Sequence, residues 1–189
     1  MYEQLAQYIH KKIIVNEEEM EMILSQFKSL KLKKNELVLR QGQTSKRTFF
    51  IEKGCLRIFF INEEGQDATR HFSFENQFAT ALVSFITGNP SEEFIQAVEP
   101  TEVLYINHDN FYYLFDVIPQ WEKFYRDYLE KAYVNNTNRL MSFLTQDATE
   151  KYRQLLEENP IIVKRLPNKM VASYLNLSQE TLSRLKSKI

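Results

Sequence analysis

The C-terminal end of the chain carries the side chains whose types and spacing most clearly suggest chemistry. Glu180, Ser183, Arg184 and Ser187 cluster on one side of any helix turning about 100° per residue. That face is short, polar and able to hydrogen-bond, unlike the run of Lys and Glu that merely solvates a helix. A guanidinium such as that of Arg184 can fork onto guanine O6 and N7. A carboxylate such as that of Glu180 can accept from cytosine N4, and Lys169, Lys186 and Lys188 on the flanks suit phosphate oxygens. Charge agrees in sign: residues 164–189 hold six basic side chains against Glu180 alone, a net of +5, in a chain whose overall charge is −1. A basic end on an acidic body suits a polyanion. A solvated Lys/Arg-rich helix terminus has the same charge, so charge alone leaves both readings open.

Other reactive residue types are sparse. Cys55 is the one cysteine, which excludes an intrachain disulfide, a four-cysteine zinc site and an all-cysteine iron–sulfur cluster. His10 has no partner at metal spacing, and His71 and His108 each stand alone among aromatic residues, so they read as packed or surface histidines rather than ligands. No Gly-rich phosphate loop, nucleophile elbow, His-Glu-x-x-His or catalytic carboxylate pair is present. An enzyme and a metal site are therefore not expected. The longest uncharged run, Asn76 to Ser91, is interrupted by Thr80, Ser84, Thr87 and Gly88 and falls short of the ~20 apolar residues of a membrane span. With no signal peptide visible, a soluble cytoplasmic protein without a membrane partner is expected.

The elements that must position the C-terminal face follow from periodicity. Val171 and Leu175 sit one turn apart, Ala172 is small enough for a second helix to approach, and Asn176 falls where a turn needs a left-handed residue. Leu177 plugs the angle between the helices, Ser178 caps the second one, and Leu182, Leu185 and Ile189 form its inward side. This is helix-turn-helix spacing. Upstream, residues 119–144 keep a helical period through Trp121, Tyr125, Tyr128, Ala132, Leu140 and Leu144 without Gly or Pro. Such a helix can lie along another domain or pair with a second copy. We read it as a parallel dimerisation helix that uses Trp121, Tyr125, Tyr128 and Ala132, with Asn135, Asn136 and Arg139 as polar interruptions that fix register. Asp147 and Glu150 then form a capping-box variant for a further helix.

The N-terminal thirty residues read as helix. Between Glu36 and Ile106 come short aromatic and β-branched runs: Leu37–Leu39, Thr48–Ile51, Leu56–Ile61, Ala68–Phe74, Phe94–Val98 and Val103–Ile106. Turn signals at Gly42, Gly54, Gly65 and Gly88 separate them, which points to a β-barrel or jelly roll. With 14 Phe and 10 Tyr in 189 residues, a sizeable core is available. The expected class is α+β, in three parts: an N-terminal jelly roll with flanking helices (1–118), the dimerisation helix (119–144) and the helix-turn-helix (145–189).

The stretch Ala172 to Arg184 resembles the recognition motif of Crp/Fnr transcription regulators, with the base-reading positions of that family falling on Gln179, Glu180, Ser183 and Arg184. Gln41-Gly42 followed by Phe49 to Arg57, with Gly65 at a hairpin, is similar to the cyclic-nucleotide-binding jelly roll of the same family. The resemblance implies a homodimeric, sequence-specific regulator binding double-stranded DNA, with a small-molecule effector and RNA polymerase as further candidate partners. Cyclic-nucleotide binders of the family carry Gly-Glu-Leu and then Arg-Ser or Arg-Thr; here those positions read Thr80-Ala81-Leu82 and Ser91-Glu92. With Glu92 and Glu93 where a phosphate needs a cation, the site is degenerate, and neither cyclic AMP, cyclic GMP nor another cofactor is expected. The chain closes on the recognition helix, so the family's wing is expected to be reduced or absent. The alternative is an effector-binding or interaction module whose reduced C-terminal domain no longer reads DNA. A cupin-like enzyme would need a His and Glu metal cluster that the sequence does not assemble.

Overall fold

The computed structural model describes residues 2–188; Ile189, expected on the inward side of the last helix, lies outside them. Two helices open the chain, α1 (Glu3–His10) and α2 (Glu17–Ser25). Asn16 starts α2 with a reciprocal box: its side-chain oxygen accepts from the Glu19 amide while the Glu19 carboxylate accepts from the Asn16 amide, both at 2.8 Å.

Strands β1 (Lys28–Leu32), β2 (Leu37–Leu39), β3 (Arg47–Lys53), β4 (Leu56–Ile61), β5 (Asp67–Ser73) and β6 (Phe78–Ala79) follow. After a short helix α3 (Leu82–Thr87) come β7 (Phe94–Ala97) and β8 (Thr101–Asn107). They form two four-stranded antiparallel sheets, β1-β8-β3-β6 and β2-β7-β4-β5. Inward residues of both sheets, among them Phe49, Ile51, Leu56, Ile58 and Ile95, fill the roll. Gly54 turns β3 into β4 at φ +103°, where an added Cβ would stand 2.5 Å from the Thr101 hydroxyl, so no other residue fits that corner.

The outer face of the β1-β8-β3-β6 sheet is covered by α1, α2, α4 (His108–Val117) and the first turns of α5 (Trp121–Thr145). This corrects the role expected of Trp121. It is 0% exposed, donates its indole N–H to the Phe111 carbonyl at 3.2 Å and stacks on Phe124, so it belongs to the core of its own protomer. Tyr125 and Tyr128 are half-buried against the same cluster. Aromatic residues at the start of α5 cover the sheet because bulky apolar area gains most from burial, and the sheet lies alongside. The second half of α5 leaves the roll's core and is largely exposed, apart from Arg139, which reaches Thr69 of β5 and Tyr174.

Four helices complete the described chain: α6 (Ala148–Glu158), α7 (Pro160–Arg165), α8 (Asn168–Leu175) and α9 (Gln179–Lys188). Asp147 caps α6 by accepting from the Thr149 and Glu150 amides. Their apolar sides, with Tyr152, Leu155, Ile162, Val171, Leu175 and Leu182, share one buried cluster with Cys55, Phe72, Phe74 and Val98 of the roll. The C-terminal helices therefore sit on the outer side of the β2-β7-β4-β5 sheet rather than enclosing a separate core.

Candidate nucleic-acid interface and sensor cleft

The turn between α8 and α9 is set by Asn176, at φ 54° and ψ 48°. Its neighbour Leu177 donates an amide to the Ala172 carbonyl at 2.9 Å, closing the end of α8 and swinging the chain into α9. Ser178 accepts from the Thr181 amide at 3.1 Å, capping α9. Leu182 and Leu185 face inward, while Gln179, Glu180, Ser183, Arg184 and Lys188 are exposed on the outer side. The Glu180 carboxyl is held below its ordinary range by its own amide, the Ser178 hydroxyl and the nearby Arg184, so it stands as an ionised acceptor. Lys169 is exposed near the start of α8. Lys186 is half-buried and turned toward α8, donating to the Asn168 side chain. The arrangement presents a row of hydrogen-bonding groups flanked by lysines, with dimensions a major groove accepts.

Along α5, Tyr133, Leu140 and Leu144 are 73%, 58% and 72% exposed, at seven- and four-residue spacing. Val134 and Met141 widen this apolar stripe. The four residues singled out from sequence (Trp121, Tyr125, Tyr128 and Ala132) lie elsewhere: the first three face the roll's aromatic cluster, and Ala132 lines a cleft beside it. Arg139 also departs from its expected role. Its guanidinium lies over the Tyr174 and Phe143 rings and donates to the Thr69 and Tyr174 carbonyls, so it serves contacts within the protomer. The signal that could have separated the two faces is the shift from aromatic to aliphatic residues after Tyr133.

In the roll, Thr80, Ala81, Leu82, Ser91 and Glu92 occupy the place around α3 and its following loop. Thr80 donates to the Arg47 carbonyl at 3.0 Å, and the Ser91 hydroxyl bonds the backbone of Glu93 at 3.0 and 3.1 Å. Ala81 is buried and offers no polar group. Glu92 is exposed and accepts from Gln41 at 3.1 Å. Glu93, however, does not stand uncompensated as the sequence suggested: Arg70 on β5 forks onto it through Nε and Nη2. Nothing in the sequence marks that pair, since the partners lie 23 residues apart, one on β5 and the other just before β7.

Between β5, α5 and the C-terminal helices opens a cleft of about 720 Å³, lined among others by Arg70, His71, Tyr128, Asn135, Arg139 and Tyr174. Burial, then the charges of Arg70 and Arg139, hold the His71 imidazole down to about 4, so it faces the cleft neutral. His108 contacts Asp109 at 3.1 Å and packs edge-on against Phe85; His10 is exposed. Burial pushes the Cys55 thiol well above its ordinary value, so it stays protonated. Among the described residues, no group of three or more His, Cys, Asp or Glu is placed to hold a metal, and no helix is long and apolar enough to cross a membrane.

Comparison with known proteins agrees with this architecture. Residues 29–117 match the family described as the cyclic nucleotide-binding domain. No curated protein sequence matches significantly. Among solved structures, the chain is similar to CLP from Xanthomonas campestris, described as a c-di-GMP-responsive global regulator, at 14% identity and a TM-score of 0.72, covering 92% of this chain and 91% of that one. It is similar to FixK2 from Bradyrhizobium japonicum at 16% identity and a TM-score of 0.73, covering 86% and 83%. A regulator assigned to the Crp/Fnr family from Eubacterium rectale gives 15% identity and a TM-score of 0.71, covering 90% and 82%. Two of these neighbours, CLP and the Eubacterium rectale protein, are described as regulators. The chain thus carries a cyclic nucleotide-binding-type jelly roll within the fold of the Crp/Fnr transcription regulators.

Proposed function

We propose that the protein is a homodimeric, sequence-specific DNA-binding transcription regulator whose roll does not take cyclic AMP or cyclic GMP. The observation that carries the first part is the outward face of α9. Gln179, Glu180, Ser183 and Arg184 are exposed together on a helix that the Asn176 turn and the Ser178 cap hold against α8. Reading two successive major grooves requires two such helices about 34 Å apart. The apolar stripe of Tyr133, Leu140 and Leu144 on α5 supports pairing with a second copy, because exposed apolar residues at helical spacing gain most from an equivalent stripe.

The reading of the roll rests on three features. Ala81 supplies no carboxylate for a ribose, Ser91 supplies no cation for a phosphate and has its hydroxyl engaged, and Arg70 already holds Glu93. An anionic ligand there would have to break that pair and lie beside a carboxylate. A neutral or less polar effector suits the aromatic surroundings better.

Binding to selected and random duplexes across a salt series tests the DNA reading. A selected site bound at least about a thousandfold tighter than random DNA is expected; equal affinity for both would favour an interaction module that no longer reads sequence. Calorimetry tests the roll, with no heat expected for either cyclic nucleotide, and a low-micromolar dissociation constant would overturn that part alone.

A further inference from the structure

Residues of β4 and β5 that the reading face of α9 does not use converge on one side chain of α8. The Ser173 hydroxyl, on α8, donates to the Asp67 carbonyl at 2.7 Å and accepts from the Thr69 amide at 3.0 Å and from Arg57 Nη2 at 3.2 Å, with the Thr69 hydroxyl at 2.9 Å. Its hydrogen-bonding capacity is saturated. Arg57, on β4, is 3% exposed and points out of the roll's core, laid over the Phe59 ring at 4.4 Å. Its remaining nitrogens donate to the Thr69 hydroxyl at 2.7 Å and to the Asp67 carboxylate at 2.9 Å. Around this polar knot, Phe72 packs against Tyr174, and Arg139 reaches both Thr69 and Tyr174 from α5. A second tie lies nearby, where Arg165 on α7 forks onto Glu75 at 2.7 and 2.8 Å and also reaches Glu99.

A buried guanidinium is tolerated only when its donors are satisfied, and here one of the satisfying groups belongs to α8. A displacement of α8 too small to admit water leaves Arg57 Nη2 and the Thr69 amide without their acceptor, and hydrogen bonds to charged groups are among the costlier ones to lose. Small displacements gain nothing in return, so α8 is either seated or released. The Asn176 turn and the buried contacts of Val171, Leu182 and Leu185 bind α9 to α8. Seating α8 therefore fixes the direction in which α9 points relative to the roll.

We propose that Arg57 and Ser173 are positioning residues: their latch seats α8 on the outer face of the roll and sets the orientation at which α9 presents its reading face. In the seated arrangement Gln179, Glu180, Ser183 and Arg184 are exposed, and this seated state is taken as the one that engages DNA. The inference rests on the DNA-binding reading, and its test separates the two. One arm uses no DNA. Cysteines introduced by Glu63→Cys at the β4–β5 hairpin and Ser187→Cys on α9, both exposed positions, take spin labels while the buried, protonated Cys55 does not. In full-length protein diluted with unlabelled chain, the label-to-label distance distribution should be single and narrow. It should broaden or shift with Ser173→Ala or Asp67→Asn and recover with Ser173→Thr, which keeps the hydroxyl. The second arm compares a duplex carrying two half-sites with one carrying a single half-site. Ser173→Ala should weaken the first about tenfold and leave the second, and the base preference, unchanged. An unaltered distance distribution, an unchanged or tighter two-half-site complex, or an equal loss on the single half-site would each overturn the proposal. Wild-type protein that binds no sequence preferentially would overturn the DNA reading instead, leaving the distance arm to decide the latch.

Discussion

The Arg139 guanidinium lies 3.8 Å from the centroid of the Tyr174 ring and donates to the Tyr174 carbonyl at 2.6 Å. The same group reaches the Thr69 carbonyl at 3.1 Å, so one side chain joins α5, β5 and α8. Arg139→Met should cost about 2–4 kcal/mol in urea unfolding, from the lost cation–π contact and two carbonyls left without a donor. Arg139→Lys should recover less than half, because an ammonium cannot lie flat on a ring while reaching two separated acceptors. Full recovery by lysine would show that charge alone matters there.

Assembly should separate the two halves of α5. Leu140→Glu combined with Leu144→Glu places charge on the exposed stripe and should give a folded monomer in sedimentation at micromolar concentration. Trp121→Ala opens a large void beneath the roll and should lower stability by about 3–5 kcal/mol while leaving the association of the remaining folded protein intact. A monomeric Trp121→Ala protein of wild-type stability would reverse this assignment.

Base readout should divide the outward residues of α9 into two kinds. Arg184→Ala should relax base preference at one position in each half-site, costing ~1–3 kcal/mol per site, with non-specific binding retained. Lys188→Ala should weaken all sequences alike and reduce the salt slope by about one per recognition helix. Lys186→Ala should act more weakly than Lys188→Ala, since Lys186 is half-buried and engaged with Asn168. Binding-site selection at two salt concentrations reads all three.

Acid should loosen the seat of the C-terminal helices. Hydrogen bonds from Arg165 hold the Glu75 carboxyl at about 2, against an ordinary value of 4.5. Burial acts to raise Asp67, but the hydrogen bond and charge of Arg57 outweigh it and leave it lowered. A carboxyl whose folded value lies below its unfolded value binds fewer protons when folded. Its stabilisation is thus complete above about pH 4.5 and fades as the pH falls toward 2. Urea midpoints should decline through that window, and Glu75→Gln should start lower at pH 6 and fall less steeply. A midpoint constant from pH 6 to pH 3 would contradict the ion-pair account.

The local features of the fold can be read from residue order alone, and the distant pairings cannot. Asn176, Ser178 and the spacing of Val171, Leu175 and Leu182 announce the helix-turn-helix because each acts within one or two turns. The runs around Phe49, Leu56 and Val103 announce strands for the same reason. Strand β1, Lys28–Leu32, is a polar-looking edge strand, and β6 has two residues, too few for alternation to show. Helix α4 is so rich in aromatics that its period is blurred, and α7 begins at Pro160, which reads as a stop although proline also suits a first helical turn. The α5 pattern names residues that will be buried but not by what: Trp121 meets its own sheet because the β1-β8-β3-β6 face lies beside it, a fact of topology. Arg70 with Glu93 and Arg57 with Ser173 are ordinary polar residues until the chain brings them together.

The cluster shared by the roll and the C-terminal helices also bears on how the chain is made. Arg57 meets Ser173 across 116 residues, and Phe72, Phe74 and Val98 are covered by residues as late as Leu182 and Leu185. A nascent chain emerging from the ribosome completes the roll while that aromatic face still has nothing to lie against. Until the last helices arrive, the half-made protein exposes an adhesive sheet surface, the kind of species that chaperones hold and that aggregates when they are scarce. Closing such distant contacts is slow, so loss of the final two helices by truncation should harm solubility as well as removing the proposed reading helix.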